Sequence, residues 1–218
     1  MGWRETMMGE PGSVPEARRR WRLAITGSAG VGKTTLAAHL AQALELTVIP
    51  EGMRTRLEGG LDLHALGRDG LRALIAELFD EAMARKEAAM AVGNGFVADR
   101  CAMDFLAFWL FYGFAADIEA TAELARKAEA ALDCYDAVVV LPWGAIPLHP
   151  DGVRTANPWL QLHYQMLVEG LLARRRNRVR VLNVPADRAV VEARADWILD
   201  HLTEAAGSSE ARPNGFVG

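Results

Sequence analysis

The feature that most constrains this chain is the run Gly27-Ser28-Ala29-Gly30-Val31-Gly32-Lys33-Thr34, which fits G-x-x-x-x-G-K-[ST] at every defined position. It lies between an apolar run, Arg22 to Thr26, and a segment in which Leu36, Leu40 and Leu44 recur every four residues. That places the loop where a strand hands over to a helix. The glycines let the backbone curl with its N–H groups pointing inward, and the positive end of the following helix adds attraction for an anion. The run therefore predicts a phosphate-binding loop made by Gly27, Ser28, Ala29, Gly30, Val31, Gly32, Lys33 and Thr34 and continued by Thr35. Lys33 has the reach for the outer phosphates of a nucleoside triphosphate, and the Thr34 hydroxyl is an oxygen ligand of the kind Mg²⁺ prefers.

The rest of the chain repeats the same alternation. Strand-like runs fall at Arg22 to Thr26, Thr47 to Pro50, Gly95 to Asp99, Ala137 to Leu141 and Val179 to Val184. Between them the apolar residues take helical spacing, as in Leu71, Leu74, Ile75, Leu78 and Phe79. Ala137-Val138-Val139-Val140-Leu141 is continuously apolar, as a parallel strand covered on both faces should be. Alternating strands and helices predict an α/β fold, a three-layer, doubly wound sandwich around a parallel five-stranded sheet. With 218 residues, 51% of them hydrophobic, the chain suits one domain. Its expected limits are 21–206, after an N-terminal arm over 1–20 and before a tail over 207–218.

Several classes are disfavoured by the same reading. No apolar run approaches the ~18 residues of a membrane span. Glu5, Glu10, Pro11, Pro15 and Glu16 occupy the stretch where a signal peptide needs apolar residues, so a cytoplasmic protein without a membrane partner is expected. Cys101 and Cys134 stand far apart, outside any C-x-x-C spacing, and the histidines are scattered, which suits thiols in a packed interior better than a disulfide or zinc scaffold. A net charge of −4 gives no global attraction to polyanions. Arg174, Arg175, Arg176 and Arg178 suit the carboxyl end of a helix, with nucleic-acid contact the weaker alternative.

Four segments carry a resemblance: Thr26-Gly27 to Thr35; Val48-Ile49-Pro50-Glu51-Gly52-Met53-Arg54 after the second run; Asp99-Arg100 after the third; and Asp151-Gly152-Val153-Arg154 after the fourth. The first is highly specific, and the others gain weight from lying at carboxyl ends of predicted strands, where open α/β sheets bind ligands. On these residues the chain, over roughly 22–203, resembles the nucleoside and nucleotide kinase group of P-loop proteins, and most closely the AAA-like ATPases related to the ribosylnicotinamide kinase domain. The resemblance implies a P-loop NTPase of nucleotide-kinase type, with ATP and Mg²⁺ as cofactors and a hydroxyl-bearing small molecule as acceptor.

It also implies roles. The catalytic set would be Lys33, Glu51, Asp99, Arg100 and Arg154. Glu51 resembles the carboxylate that contacts the acceptor hydroxyl in deoxynucleoside kinases and is the first candidate base. Asp99 resembles the acid of a Walker B strand and, with Thr34, would hold Mg²⁺. Arg100 would clamp a phosphate or the acceptor, and Arg154 would sit on a lid following the Pro-, Trp- and Gly-rich stretch 142–152. Pro185, in Asn183-Val184-Pro185-Ala186, would lie against the adenine. Each role has a plainer competitor: Glu51 capping a turn or pairing with Arg54 or Arg56, Asp99 capping the next helix, and Arg154 as a surface arginine. Phe105, Phe108, Trp109, Phe111, Tyr112 and Phe114 read equally as core or as an acceptor pocket. A regulatory ATPase acting on a protein partner, a kinase of a nucleic-acid hydroxyl, and a homodimer all remain compatible with these residues.

Overall fold

The computed structural model describes residues 20–63, 65–147 and 157–209. Five strands form one sheet: β1 (Arg22–Thr26), β2 (Thr47–Ile49), β3 (Phe96–Asp99), β4 (Ala137–Val140) and β5 (Arg180–Asn183). Their order is β2-β3-β1-β4-β5, and every pairing is parallel. The register aligns Ile25 with Asp99, Thr26 with Val140, and Ile49 with Ala98. Gly27, Pro50, Arg100 and Leu141 therefore leave the sheet along one edge, and chemistry can collect there.

Side chains alternate across the sheet and seed a core on each face. Ala24, Phe96, Ala98, Val138 and Val140 pack on one side beneath α3 (Gly67–Ala91), α4 (Ala102–Phe111), α5 (Ile118–Ala130) and α6 (Pro158–Ala173). Leu23, Ile25, Val97, Val139 and Leu141 pack on the other beneath α1 (Lys33–Leu44) and α7 (Val191–Ser209). The short α2 (Gly52–Glu58) leads from the β2 edge towards α3. The result is the three-layer α/β architecture that the alternation implies. Every residue of β3 and β4 is buried, which is why their sequences are unbroken apolar runs up to the acid that closes β3.

The strands are shorter than the apolar runs that announce them. Pro50 has no N–H to donate and ends β2 at Ile49. Gly95 precedes β3 where a side chain would meet the Trp21 carbonyl, 2.3 Å from a Cβ. Leu141 and Val184 continue the ladder by single hydrogen bonds, 3.0 Å to Thr26 O and 3.0 Å to Val140 O, beyond the strands proper. At the other end, α7 runs to Ser209, past the expected boundary at 206. Once Ala195, Ile198 and Leu202 anchor the helix, each added residue gains a backbone hydrogen bond at little further cost. Among the described residues, no helix is long and apolar enough to cross a membrane.

Candidate active site

β1 ends on Thr26, and the chain turns at Gly27 (φ 136°), Gly30 (φ 78°) and Gly32 (φ 90°) before α1 begins at Lys33. These values lie where a Cβ is strained, so the loop needs its glycines. A side chain at Gly27 would also stand 3.0 Å from Leu141 O. Lys33 curls back under the loop, its Nζ donating to Ser28 O at 2.7 Å. Its side chain is almost wholly buried, and that burial, together with repulsion from Arg100, lowers its pKa to about 8.

Asp99 ends β3 one strand away. Thr34 Oγ1 donates to Asp99 Oδ2 at 2.5 Å, while Asp99 Oδ1 is buried without a hydrogen-bond partner among the described residues. Asp99 does not cap α4, because the cap residue is Cys101; its N–H donates to Asp104 Oδ2 at 2.8 Å. A hydroxyl and a carboxylate with one unused oxygen, at the mouth of a phosphate loop, are a donor set that fits Mg²⁺. Thr34 and Asp99 are the residues that would hold it.

Arg100 is the hub of a buried hydrogen-bond network next to the loop. Its backbone stands at φ 93°, unusual for a residue with a side chain. Nε donates to Glu51 Oε1 at 2.5 Å, and Nη1 donates to Asp104 Oδ1 at 2.8 Å and to the Tyr164 hydroxyl at 3.0 Å, and lies 3.5 Å from Gly27 O. Burial alone would favour the neutral form, but Glu51 and its neighbours outweigh it and raise the Arg100 pKa further. Glu51 is the cap residue of α2 yet makes no side-chain cap hydrogen bond. Arg54 pairs with Glu58, and Arg56 with Glu77 and Glu81. The Glu51 carboxylate is thus presented beside Arg100 at the sheet edge.

A narrow cleft with room for about one water molecule opens there, lined by Glu51, Leu78, Arg85, Lys86, Arg100 and Phe105 among others. The aromatic run divides. Phe105, Trp109 and Phe114 are buried, whereas Phe108, Phe111 and Tyr112 are half-exposed, with Phe108 beneath the Arg100 guanidinium at 4.7 Å and beside Tyr164 at 4.8 Å. Phe105, Trp109 and Phe114 are thus core residues, and of the six Phe105 also lines the cleft. Pro185 follows β5 and leads towards α7. Arg154, with Asp151, Gly152 and Val153, lies outside the described residues. Arg175 and Arg178 pair with Glu129 and Asp133, so half of the basic cluster is engaged within the fold.

Three contributors escape a reading of the sequence. Gln165 of α6 accepts the Ser28 N–H at 2.7 Å and donates to Leu141 O at 3.0 Å. Asp104 could have been found, because Arg100 and Asp104 stand at i, i+4 on adjoining turns. Arg194 of α7 reaches across the molecule, Nη1 donating to Val31 O and Nε to Arg188 O, both at 2.6 Å. It braces the phosphate loop from outside, and burial lowers its pKa. Nothing local in the sequence signals Gln165 or Arg194.

The family described as AAA domain matches residues 22–194, most of the chain. The chain belongs to that family. Among proteins with curated descriptions, no sequence matches it. Solved structures share its fold at low identity. Deoxyadenosine kinase from M. mycoides, with dCMP and a flexible dCDP bound, is 14% identical with a TM-score of 0.59, over 84% of this chain and 99% of that one. Thymidylate kinase from Ehrlichia chaffeensis is 14% identical with a TM-score of 0.56, over 84% and 98%. NadR in complex with NR is 22% identical with a TM-score of 0.62, over 92% of this chain but 53% of NadR.

Proposed function

We propose that this member of the AAA domain family is a Mg-ATP-dependent kinase that transfers the γ-phosphoryl group to a hydroxyl of a nucleoside, nucleotide or similar metabolite. The observation that carries the reading is the buried Glu51–Arg100 pair, 2.5 Å apart, at the same sheet edge as the phosphate loop. A carboxylate held across from the phosphate loop suits phosphoryl transfer, because an alcohol must be oriented and relieved of its proton as the bond to phosphorus forms; a simple ATPase would use the same group on water, which is why the identity of the phosphorylated product decides between them.

The chain's own residues then have defined work. The loop amides and Lys33 hold the transferring phosphate, and Thr34 and Asp99 hold the metal, which would neutralise phosphate charge. Arg100 Nε holds Glu51 Oε1 and so orients the carboxylate that would receive the acceptor's proton. The alcohol oxygen bonds to the γ-phosphorus, the bond from that phosphorus to the bridging oxygen breaks, ADP leaves and the proton passes to Glu51. Phe105 and the half-exposed Phe108 offer faces for a ring.

Glu51, Asp99 and Asp104 are three acids beside the buried cations Lys33 and Arg100, and Lys86 and Arg85 add positive charge to the cleft lining, so both a nucleoside and its phosphate monoester meet complementary charge there. Among the structural neighbours, deoxyadenosine kinase carries the name of a nucleoside acceptor and thymidylate kinase that of a nucleotide. The test is to incubate the protein with Mg-ATP and a panel of nucleosides, each paired with its 5′-monophosphate. Phosphorylation of at least one member of the panel is expected. Steady phosphate release with no phosphorylated acceptor would favour the simple ATPase.

A further inference from the structure

Two neighbouring residues of α6 reach opposite halves of the site. Gln165 Oε1 accepts the Ser28 N–H at 2.7 Å, and its Nε2 donates to Leu141 O at 3.0 Å and to Glu169 Oε1 at 2.6 Å. Tyr164 donates its hydroxyl proton to Asp104 Oδ1 at 2.6 Å and accepts from Arg100 Nη1 at 3.0 Å. Both side chains are at least nine-tenths buried, Tyr164 at 5% exposure and Gln165 at 2%. Burial also pushes the Tyr164 hydroxyl well above its ordinary range, so it remains a neutral donor and acceptor.

The contacts close on themselves. Arg100 Nη1, bound to Tyr164, also lies 3.5 Å from Gly27 O, and Gly27 adjoins Ser28, which is bound to Gln165. A circuit thus runs from Ser28 through Gln165 and the α6 backbone to Tyr164, on to Arg100, and back to Gly27. Its weakest step is the long Arg100–Gly27 contact. Two features make the circuit selective. Arg100 sits at φ 93°, a conformation that persists only where surroundings enforce it, and Tyr164 supplies one of the bonds that do so. Ser28 N–H is committed to Gln165 rather than turned to the loop interior, so the first turn of the phosphate loop takes its position from α6.

We propose that Tyr164 and Gln165 are paired positioning residues. Through them the state of the phosphate loop and the placement of the Arg100–Glu51 pair are set together, so that the donor half and the acceptor half of the site are coupled by one helix. The catalytic consequence rests on the kinase reading above; the coupling of nucleotide affinity to Tyr164 does not. α6 acts as a stiff bar, because Val168 and Leu172 seat it in the core and Asn157 caps it by accepting the Trp159 and Leu160 N–H groups.

The experiment is a double-mutant cycle of Tyr164→Phe and Gln165→Met, with the affinity for Mg-AMP-PNP measured by calorimetry on the full chain. Met166→Gln, an exposed change on the same helix, serves as control. Gln165→Met removes a hydrogen bond to the loop and should weaken nucleotide binding about five- to tenfold. Tyr164→Phe keeps the ring and lies on the acceptor side, yet should weaken the same binding about threefold or more, and the double variant should be weakened by clearly less than the product of the two single effects, showing coupling. Circular dichroism and melting temperature establish that each variant is folded. Where an acceptor is turned over, Tyr164→Phe should lower kcat by about tenfold with KM for ATP changed less. Wild-type AMP-PNP affinity in folded Tyr164→Phe, or strictly multiplicative effects in the double variant, would overturn the proposal. Coupled affinities without any phosphorylated acceptor would leave the brace standing and remove the kinase instead.

Discussion

At the scale of single residues, Lys33 carries the sharpest physical consequence. Burial and Arg100 lower its pKa to about 8, whereas a bound triphosphate favours the ammonium. Two opposite pH dependences follow. In the nucleotide-free protein the folded-state pKa lies below the unfolded value, so the unfolded chain binds more protons between about pH 8 and about 10.5, and the contribution of Lys33 to stability rises with pH across that window. Nucleotide binding behaves the other way. Affinity is full below about pH 8 and falls above it, by up to about tenfold per pH unit if one proton is taken up. Calorimetry of Mg-AMP-PNP binding from about pH 7 to about pH 9.5, in buffers of different ionisation heat, reads both affinity and proton uptake. A flat profile without uptake contradicts this account of Lys33. Much at this scale was legible beforehand. The phosphate loop declares itself because glycine at left-handed φ and lysine under a turn leave few other sequences. Arg100 was legible only in part: the Asp-Arg pair was visible, but not that the guanidinium would serve two carboxylates and a tyrosine. Asp104 is within reach of an i, i+4 reading, but Glu51, before α2, and Tyr164, on α6, are not revealed by spacing along the chain.

Among the elements, α3 shows most clearly where a helical pattern conceals something. Its apolar stripe, Leu74, Ile75, Leu78 and Phe79, is readable by period and is the face that packs on the sheet. Lys86 continues the buried face where an apolar residue is expected, at 2% exposure, with Nζ donating to the Tyr135 hydroxyl at 2.6 Å and standing over its ring at 5.0 Å. Burial lowers its pKa to about 8 as well. A buried ammonium without a carboxylate beside it costs more than an apolar side chain of the same length. Lys86→Met should therefore raise the melting temperature near neutral pH by about 2–4 °C, and the gain should shrink between about pH 8 and about 10.5, where the wild-type lysine sheds its penalty. Scanning calorimetry at two pH values checks this. A lower melting temperature at neutral pH would mean that the bond to Tyr135 outweighs desolvation. The sheet was easier to read than its edges: β3 and β4 announce themselves by unbroken apolar runs, while Pro50 and Gly95 trim their strands for reasons of hydrogen bonding and close approach that hydrophobicity does not encode.

For the molecule as a whole, the parallel sheet collects the phosphate loop, Asp99, Arg100 and Glu51 along one edge, and α6 and α7 fasten that edge from opposite faces. Alternation of strands and helices was enough to foresee the three layers, but not which helix would touch which loop. Gln165 and Arg194 make contacts across 137 and 163 residues of chain, beyond the reach of any local pattern. If Glu51 receives the acceptor's proton, Glu51→Gln separates transfer from nucleotide binding, because glutamine keeps an oxygen for Arg100 Nε and so leaves the coupled phosphate loop in place. The measurement is acceptor phosphorylation at saturating Mg-ATP beside the affinity for Mg-AMP-PNP. The account predicts nucleotide affinity within about twofold of wild type and phosphoryl transfer lowered by about 10²-fold or more. A Glu51→Gln protein that transfers the phosphoryl group at the wild-type rate would contradict it.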